Sequence, residues 1–401
     1  MMIPSSERSQ FAPLWALDPA LDFLNHGSFG ACPRAVIEAQ QRWRDQLERN
    51  PVKFMKRDIE GFVDAAREQL AAFLGGETGS LAFVRNTTAA VNVVLRSVEL
   101  KPGDEILITS HAYNAVRNAV DFVAARRAVK VVTAPIEFPI DFPEQVVEGI
   151  LAHVNRKTRL AVLDHVTCLT GLVFPIERLV HELDRLGIDA LIDGAHAPGM
   201  VPLHLTTLGA AYYVGNCHKW LCAPRGAAFL YVRSDRQAGV RPLTISHGAN
   251  DPRTSRSRFH LEFDWTGTDD LTPWLTVPMA IDYVGGLLPG GWTAVMAHNQ
   301  ALAVEGRDIV CRKLGVAPPC PEEMMGSLAS VLLPNSRGES LGEPFTHDSW
   351  QSVLYSRFGI EAMIVVWPSP RQRLLRLSAH LYNSRAQYVR LAEALVETLS
   401  T

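Results

Sequence analysis

Cysteine is sparse in this chain: six residues, at Cys32, Cys168, Cys217, Cys222, Cys311 and Cys320. Their spacing fits neither a disulfide framework nor a zinc pattern. Even Cys217 and Cys222 do not make a CxxC, so reduced thiols in a cytoplasmic protein are expected. Excess charge is also missing. Lys+Arg number 39 against 42 Asp+Glu, a net −3 with no basic tract, which argues against nucleic acid or an anionic membrane surface as a main partner. No long apolar run is present either. The stretch from Gly194 to His218 is free of Asp, Glu, Lys and Arg, but its Pro, Gly, His, Thr and Asn content is wrong for a membrane span. The first twenty or so residues lack a basic segment followed by an apolar one, so they read as an arm or short helix and not as a signal peptide.

What the chain does have is bulk and rhythm. At 401 residues and 47% hydrophobic it can bury a large core and exceeds one compact domain, so two are expected. Short apolar runs alternate with amphipathic stretches: strands at Leu21, Leu81, Glu105–Ser110, Val129–Pro135, Thr158–Val166, Ala190–Ile192, Ala210–Val214 and Gly226–Arg233, with helical patterns between them. The alternation predicts an α/β fold with a mostly parallel sheet covered by helices on both faces. Arg233–Phe263 is polar and reads as a long active-site loop whose side chains would wall the substrate pocket. Composition changes near Thr272. The expected division is an arm over 1–20, a large domain over 21–271 and a smaller C-terminal domain over 272–401.

The stretch Asp189–Trp220 organises the rest. Ala190–Ile192 is a buried-strand run ending at a carboxylate, Asp193, with His196 just beyond. In a parallel sheet the carboxyl ends of strands face the ligand crevice. A second run, Ala210–Val214, leads through Gly215, Asn216, Cys217 and His218 to Lys219, and no acidic residue occurs from Gly194 to Arg233. A lysine placed there lacks a local counter-ion, which favours the free amine and makes it a nucleophile. Either residue alone is more often a capping Asp or a surface Lys. Together they have the chemistry that pyridoxal phosphate (PLP) requires: a carboxylate to keep the pyridine nitrogen protonated and an amine to form the Schiff base.

DGAHAPGM and GNCHKW resemble the cofactor site of class V aminotransferases, among fold-type I PLP enzymes, and in particular the isopenicillin N epimerase-like branch. The resemblance runs from about Leu21 to the C-terminus. It implies a large domain built on a seven-stranded sheet, with a smaller α+β domain after it. Where the desulfurase branch reads D-x-A-Q, this chain has His196, whose implied role is donation to the cofactor's phenolic oxygen. Asn86, Thr87 and Thr88, at the start of a helix, are the implied phosphate cradle, with Asn216 and His218 beside the lysine. The spacing of His111-Ala-Tyr113-Asn-Ala-Val makes Tyr113 the implied stacking ring and leaves His111 as a possible second acid or base. Thr167 stands where desulfurases carry an asparagine, a departure that weakens desulfurase chemistry. The LNHGSFG turn places Asn25, His26 and Ser28 on the substrate side, and R-x-S-x-x-x-Y-N marks Arg376 as the α-carboxylate handle. Asp264–Asp269 resembles the segment that reaches across a homodimer interface, where Thr268 would complete the partner's site.

The implied chemistry begins with an amino acid displacing Lys219, which then moves the α-proton while Asp193 supports the cofactor. Three outcomes stay open: epimerisation, which needs a second acid such as His111 or Tyr113; loss of a β-substituent, as in a C–S lyase; or transamination. No cysteine follows Cys320 to carry a persulfide. A non-catalytic PLP-fold binding protein is the reading from outside enzymology, and it predicts loss of the lysine or the arginine, both of which are present.

Overall fold

The computed structural model describes residues 7–334 and 348–399. Its strands are β1 (Asp22–Phe23), β2 (Leu81–Val84), β3 (Glu105–Thr109), β4 (Lys130–Ala134), β5 (Thr158–Asp164), β6 (Asp189–Gly194), β7 (Tyr212–Asn216), β8 (Ala228–Val232), β9 (Leu328–Leu333), β10 (Ile360–Glu361), β11 (Met363–Val366) and β12 (Arg373–Ser378). Seven of them form one sheet in the order β2-β8-β7-β6-β5-β3-β4. Only β8 runs against its neighbours, so the sheet is mostly parallel, as the alternating pattern predicts.

The central strands β5, β6 and β7 are nearly continuous apolar runs because both faces of this sheet are covered by helices. On one face the helix Ile176–Arg185 buries Ile176, Leu179, Val180 and Leu183, the i, i+3, i+4, i+7 stripe that a single buried helix face requires. The helix Ile59–Leu74 packs on the same side and ends at Gly75, whose φ of 57° is the left-handed cap that glycine adopts most cheaply. The helices Thr87–Ser97 and Asn114–Arg127 cover the opposite face.

A second, antiparallel sheet, β11-β12-β9, carries the C-terminal helices. Gly291–Leu314 and Arg385–Leu399 pack on it around a separate apolar cluster that includes Val310, Leu375, Leu377, Tyr388 and Leu391. The start of the chain returns to this unit. β1 pairs in parallel with β10, Leu24 is buried in the same cluster, and Arg390 bonds Asp22 at 2.5 Å. Trp274, Leu275, Val277, Ala280 and Ile281, by contrast, lie in the cluster under the large sheet.

The expectation of a structureless pocket loop over Arg233–Phe263 is corrected by the structure. The segment carries turns at Ser234–Gly239 and His247–Asn250 and a helix, Arg258–Phe263. Val240, Phe259 and Phe263 are buried in the sheet's second apolar cluster, and the His260 ring reaches the Leu81 carbonyl at 3.0 Å. Arg253 and Arg256 tie it to Glu60 and Asp64. Alternating aromatic anchors and arginines, not loop polarity, decided its place at the β2 edge. Among the described residues no helix is long and apolar enough to cross a membrane.

Candidate active site

The carboxyl ends of β5, β6 and β7 lie side by side, and with them Asp164, Asp193 and Asn216. Asp164 and Asp193 are register partners, both buried. Burial raises both carboxyls above the ordinary range, and for Asp164 the charge of Asp193 adds to the effect. Asp193 takes one hydrogen bond, from the Ala195 amide at 3.0 Å. A buried carboxylate so poorly compensated is suited to a cationic N–H donor from a ligand.

Lys219 follows β7 on the connection to β8. Its amine lies 3.0 Å from Nε2 of His196. Nδ1 of His196 accepts from the Trp220 indole at 3.3 Å, so in the neutral ring the proton sits on Nε2 and points to the lysine nitrogen. The ring is held neutral: burial, then the nearby Lys219 and Arg376 charges, pushes its pKa well below normal. Burial likewise brings the Lys219 amine down to about 8; the charge on Cys168 and then that on Asp193 oppose this, and Arg376 adds to it. The lysine thus reaches its reactive, uncharged form close to neutral pH.

The main chain of Lys219 is clamped as well. Its carbonyl accepts from the Cys222 amide at 3.0 Å and from Nε2 of His26 at 3.0 Å. Nδ1 of His26 then accepts from the Tyr382 hydroxyl at 2.9 Å. The approach of the glycine-rich turn explains one glycine. A Cβ on Gly30, at φ +71°, would meet the His218 carbonyl oxygen at 1.9 Å.

Asn216 joins the lysine segment to the helix Thr87–Ser97. Its Oδ1 accepts from the Thr87 amide at 3.1 Å, and its Nδ2 donates to the Thr87 hydroxyl at 3.2 Å. Asn86 caps the same helix through the Ala89 amide at 2.9 Å. Two of the first amides are therefore already satisfied within the chain, and the partly buried Thr88 stands at the same end. The positive end of the helix dipole still faces that point.

Arg376, on β12, reaches the crevice from the other unit and is 1% exposed. Its Nη2 donates to Asn25 Oδ1 at 3.0 Å and to Ser28 Oγ at 2.8 Å, and its Nη1 donates to the Cys168 carbonyl at 2.6 Å. Its Nε is buried with no partner among the described residues. Asn25 and Ser28, from the turn beside β1 expected on the substrate side, thus hold the guanidinium.

Tyr113 precedes the helix Asn114–Arg127 and is 45% exposed. Burial, then nearby Cys168 and Asp193, raises its phenol, and Arg376 opposes this. Two expectations change. The possible second-acid role of His111 is overturned: the residue is buried, with Nδ1 2.9 Å from the Thr170 hydroxyl and Nε2 3.1 Å from the Ile136 carbonyl, so neither nitrogen is offered to a substrate. The Thr167 hydroxyl is spent inside its own turn, on Thr170 at 2.6 Å and the Leu172 amide at 2.9 Å, instead of on a ligand. His218 turns its Nδ1 toward the Ala227 carbonyl at 3.2 Å, and burial brings it to about 4. Thr268 is exposed, while its neighbour Asp269 pairs with Arg85 of the same chain at 2.5 Å.

Sequence reasoning missed the position of Cys168 at the arginine, because its only signal was a place just past a strand end. It also missed the His26–Tyr382 clamp. His26, Cys222 and His380 bring possible metal-ligand atoms within 4.8 Å of one another. The two imidazoles are stacked, 4.5 Å apart and 24° from parallel, so their in-plane lone pairs do not converge on one ion.

Solved structures share this architecture. The cystine C–S lyase C-DES in complex with its product cysteine persulfide has a TM-score of 0.78, with 20% identity over 94% of this chain and 97% of that one. A cysteine desulfurase from Escherichia coli has a TM-score of 0.76, with 20% identity over 98% of both chains. Fold and crevice together define a PLP-dependent enzyme of fold type I. The chain belongs to the aminotransferase class-V family, whose model matches residues 28–309. It is 37% identical to an isopenicillin N epimerase of Amycolatopsis lactamdurans, over 95% of this chain and 96% of that protein. A second isopenicillin N epimerase, from Streptomyces clavuligerus, is 33% identical over 94% and 95%. A probable L-cysteine desulfhydrase of Arabidopsis thaliana is 28% identical over 94% and 83%.

Proposed function

We propose that this enzyme inverts the α-carbon of an amino acid or amino-acid derivative, as an epimerase of the isopenicillin N type. The observation that carries the reading is a buried Arg376, 1% exposed and bonded to the neutral oxygens of Asn25, Ser28 and Cys168, close enough to Lys219 for its charge to help lower that amine's pKa. The two epimerase relatives, matched along almost their whole length, support the choice of reaction.

The residues divide the work. Arg376, positioned by Asn25 and Ser28, pairs with the α-carboxylate and so fixes the α-carbon. Lys219 carries the cofactor and, once released, accepts the α-proton as the nearby base. Asp193 keeps the pyridine nitrogen protonated, and His196 offers its Nε2 proton to the phenolic oxygen. The helix start at Asn86, Thr87 and Thr88, braced by Asn216, would hold the phosphate, Tyr113 would supply a ring to stack on the cofactor, and His218 flanks the lysine. The cofactor supplies the electron sink that lets the α-proton leave.

The same reading makes the active form a cytoplasmic homodimer with a shared site. Thr268 is exposed, and Phe29, beside Ser28, is 72% exposed, a large apolar group that a partner subunit would cover. Trp274–Ile281, from the segment expected to open the smaller domain, pack under the large sheet. A second reading, a C–S β-lyase, is favoured by the L-cysteine desulfhydrase relatives. Proton NMR in D2O separates the two with isopenicillin N, L-cysteine and a panel of L-amino acids. Wash-out of the α-proton with appearance of the α-epimer is the expected result. Pyruvate and ammonia from L-cysteine, without any epimer, would instead establish the lyase.

A further inference from the structure

Inversion at one carbon by proton transfer on both faces needs a second group opposite the base. The structure excludes His111 from that task, since both its nitrogens are engaged. Another titratable side chain stands in the crevice. Cys168 lies on the connection leaving β5, partly exposed, with its Sγ 3.6 Å from Nη1 of Arg376. Its own carbonyl accepts from that nitrogen at 2.6 Å, so both the backbone and the side chain of Cys168 meet the guanidinium. Arg376 is 1% exposed and donates to the neutral oxygens of Asn25, Ser28 and Cys168, and a buried guanidinium held by neutral oxygens suits an anionic ligand. A carboxylate on Arg376 sits about 2.8 Å from the guanidinium nitrogens, and its α-carbon is only two bonds beyond the bound oxygen. A thiol held against the arginine is therefore within reach of that carbon. Lys219 comes from a different element, the β7–β8 connection, and lies close enough for Cys168 to perturb its amine.

We propose that Cys168 is the second proton-transfer residue at the substrate α-carbon, working on the face opposite Lys219. The inference rests on the epimerase reading. In one direction the Lys219 amine takes the α-hydrogen, one C–H bond breaks, and the Cys168 S–H delivers its proton to the other face of the same carbon. Lys219 ends as an ammonium and Cys168 as a thiolate. Exchange with solvent returns both to their starting forms, and the reverse epimerisation uses them in the opposite order. No oxidant or reductant is required.

The test uses the holoenzyme with isopenicillin N in D2O, comparing wild type, C168A, C168S and Y113F. In C168A, formation of the epimer should fall at least about 100-fold, the size of a lost general acid. Wash-out of the α-proton from the starting epimer, which needs only Lys219, should fall far less. C168S should recover part of the inversion, and Y113F should invert with the wash-out-to-inversion ratio of wild type. Epimer formation by C168A at the wild-type rate would overturn the proposal, and so would an equal fall in wash-out and inversion. Wild type that washes out the proton but never inverts removes the epimerase reading and this one with it. A second readout does not depend on turnover. Iodoacetamide followed by peptide mass mapping should alkylate Cys168 ahead of the buried Cys217, Cys222 and Cys311, and saturating isopenicillin N should protect it. Alkylation of Cys168 that the substrate does not slow would place the thiol away from the bound carbon.

Discussion

The Ser28 hydroxyl lies 2.8 Å from Nη2 of Arg376, although 348 residues separate them in the chain. Asn25 completes the arrangement, accepting from Ser28 Oγ at 2.7 Å and from the same guanidinium nitrogen at 3.0 Å. The N-terminal turn thus aims an arginine of the C-terminal unit. A guanidinium fixed on one edge by the protein is pre-organised to offer its other donors to a ligand.

Arg376→Lys keeps the charge but loses the paired donors. It should weaken binding of substrates bearing an α-carboxylate by about 2–5 kcal/mol, the range for a truncated buried charge contact. KM should rise more than kcat falls. Amines that lack the carboxylate should bind the variant and wild type alike, and equal losses for both ligand types in steady-state assays would refute the handle.

Lys219 reacts as the free amine, and its pKa lies at about 8 instead of 10.5. The rate at which apoenzyme captures PLP, followed by its absorbance, should therefore rise as pH increases through about 8 and level off above it. A midpoint near 10 would mean that the amine is fully solvated. Lys219→Ala should leave PLP removable by dialysis, while retained covalent attachment would assign the cofactor to another lysine.

Four buried or partly buried histidines hold their neutral form in the fold. Burial brings His26, His111 and His218 to about 4 and His165 to about 3. The unfolded chain binds these protons near pH 6.5 and the folded one does not, so the stability they contribute is complete above 6.5 and is lost as pH falls toward 4. Each can contribute a slope of up to about 1.4 kcal/mol per pH unit in that window. Urea unfolding between pH 7 and 4.5 should show this loss, and His111→Asn should make it shallower. A flat profile would show that the rings titrate freely in the fold.

Much of the site was legible because strand ends announce themselves. An apolar run that stops at Asp193, and another that leads to Lys219, mark the crevice of a parallel sheet before any fold is known. Thr167 and His111 were harder. Their residue types suit cofactor contact, but which way a polar side chain turns depends on the nearest donor, and in both cases Thr170 is that neighbour. The segment Arg233–Phe263 read as a loop because its polar residues outnumber its anchors, yet Phe259, Phe263 and His260 seat it on the β2 edge.

By itself the sequence determined the α/β alternation and the placing of Asp193 and Lys219 at and beyond strand ends, since each depends on local period or on residue type, while Arg376 stood out only through its resemblance to a family motif. Tertiary structure alone decided the pairing of β1 with β10, the clamp from Tyr382 through His26 to the Lys219 carbonyl, and the meeting of Cys168 with Arg376. Those relations join residues hundreds of positions apart. Pattern carries no record of such distances, and only the packing of two units against each other brings them within bonding reach.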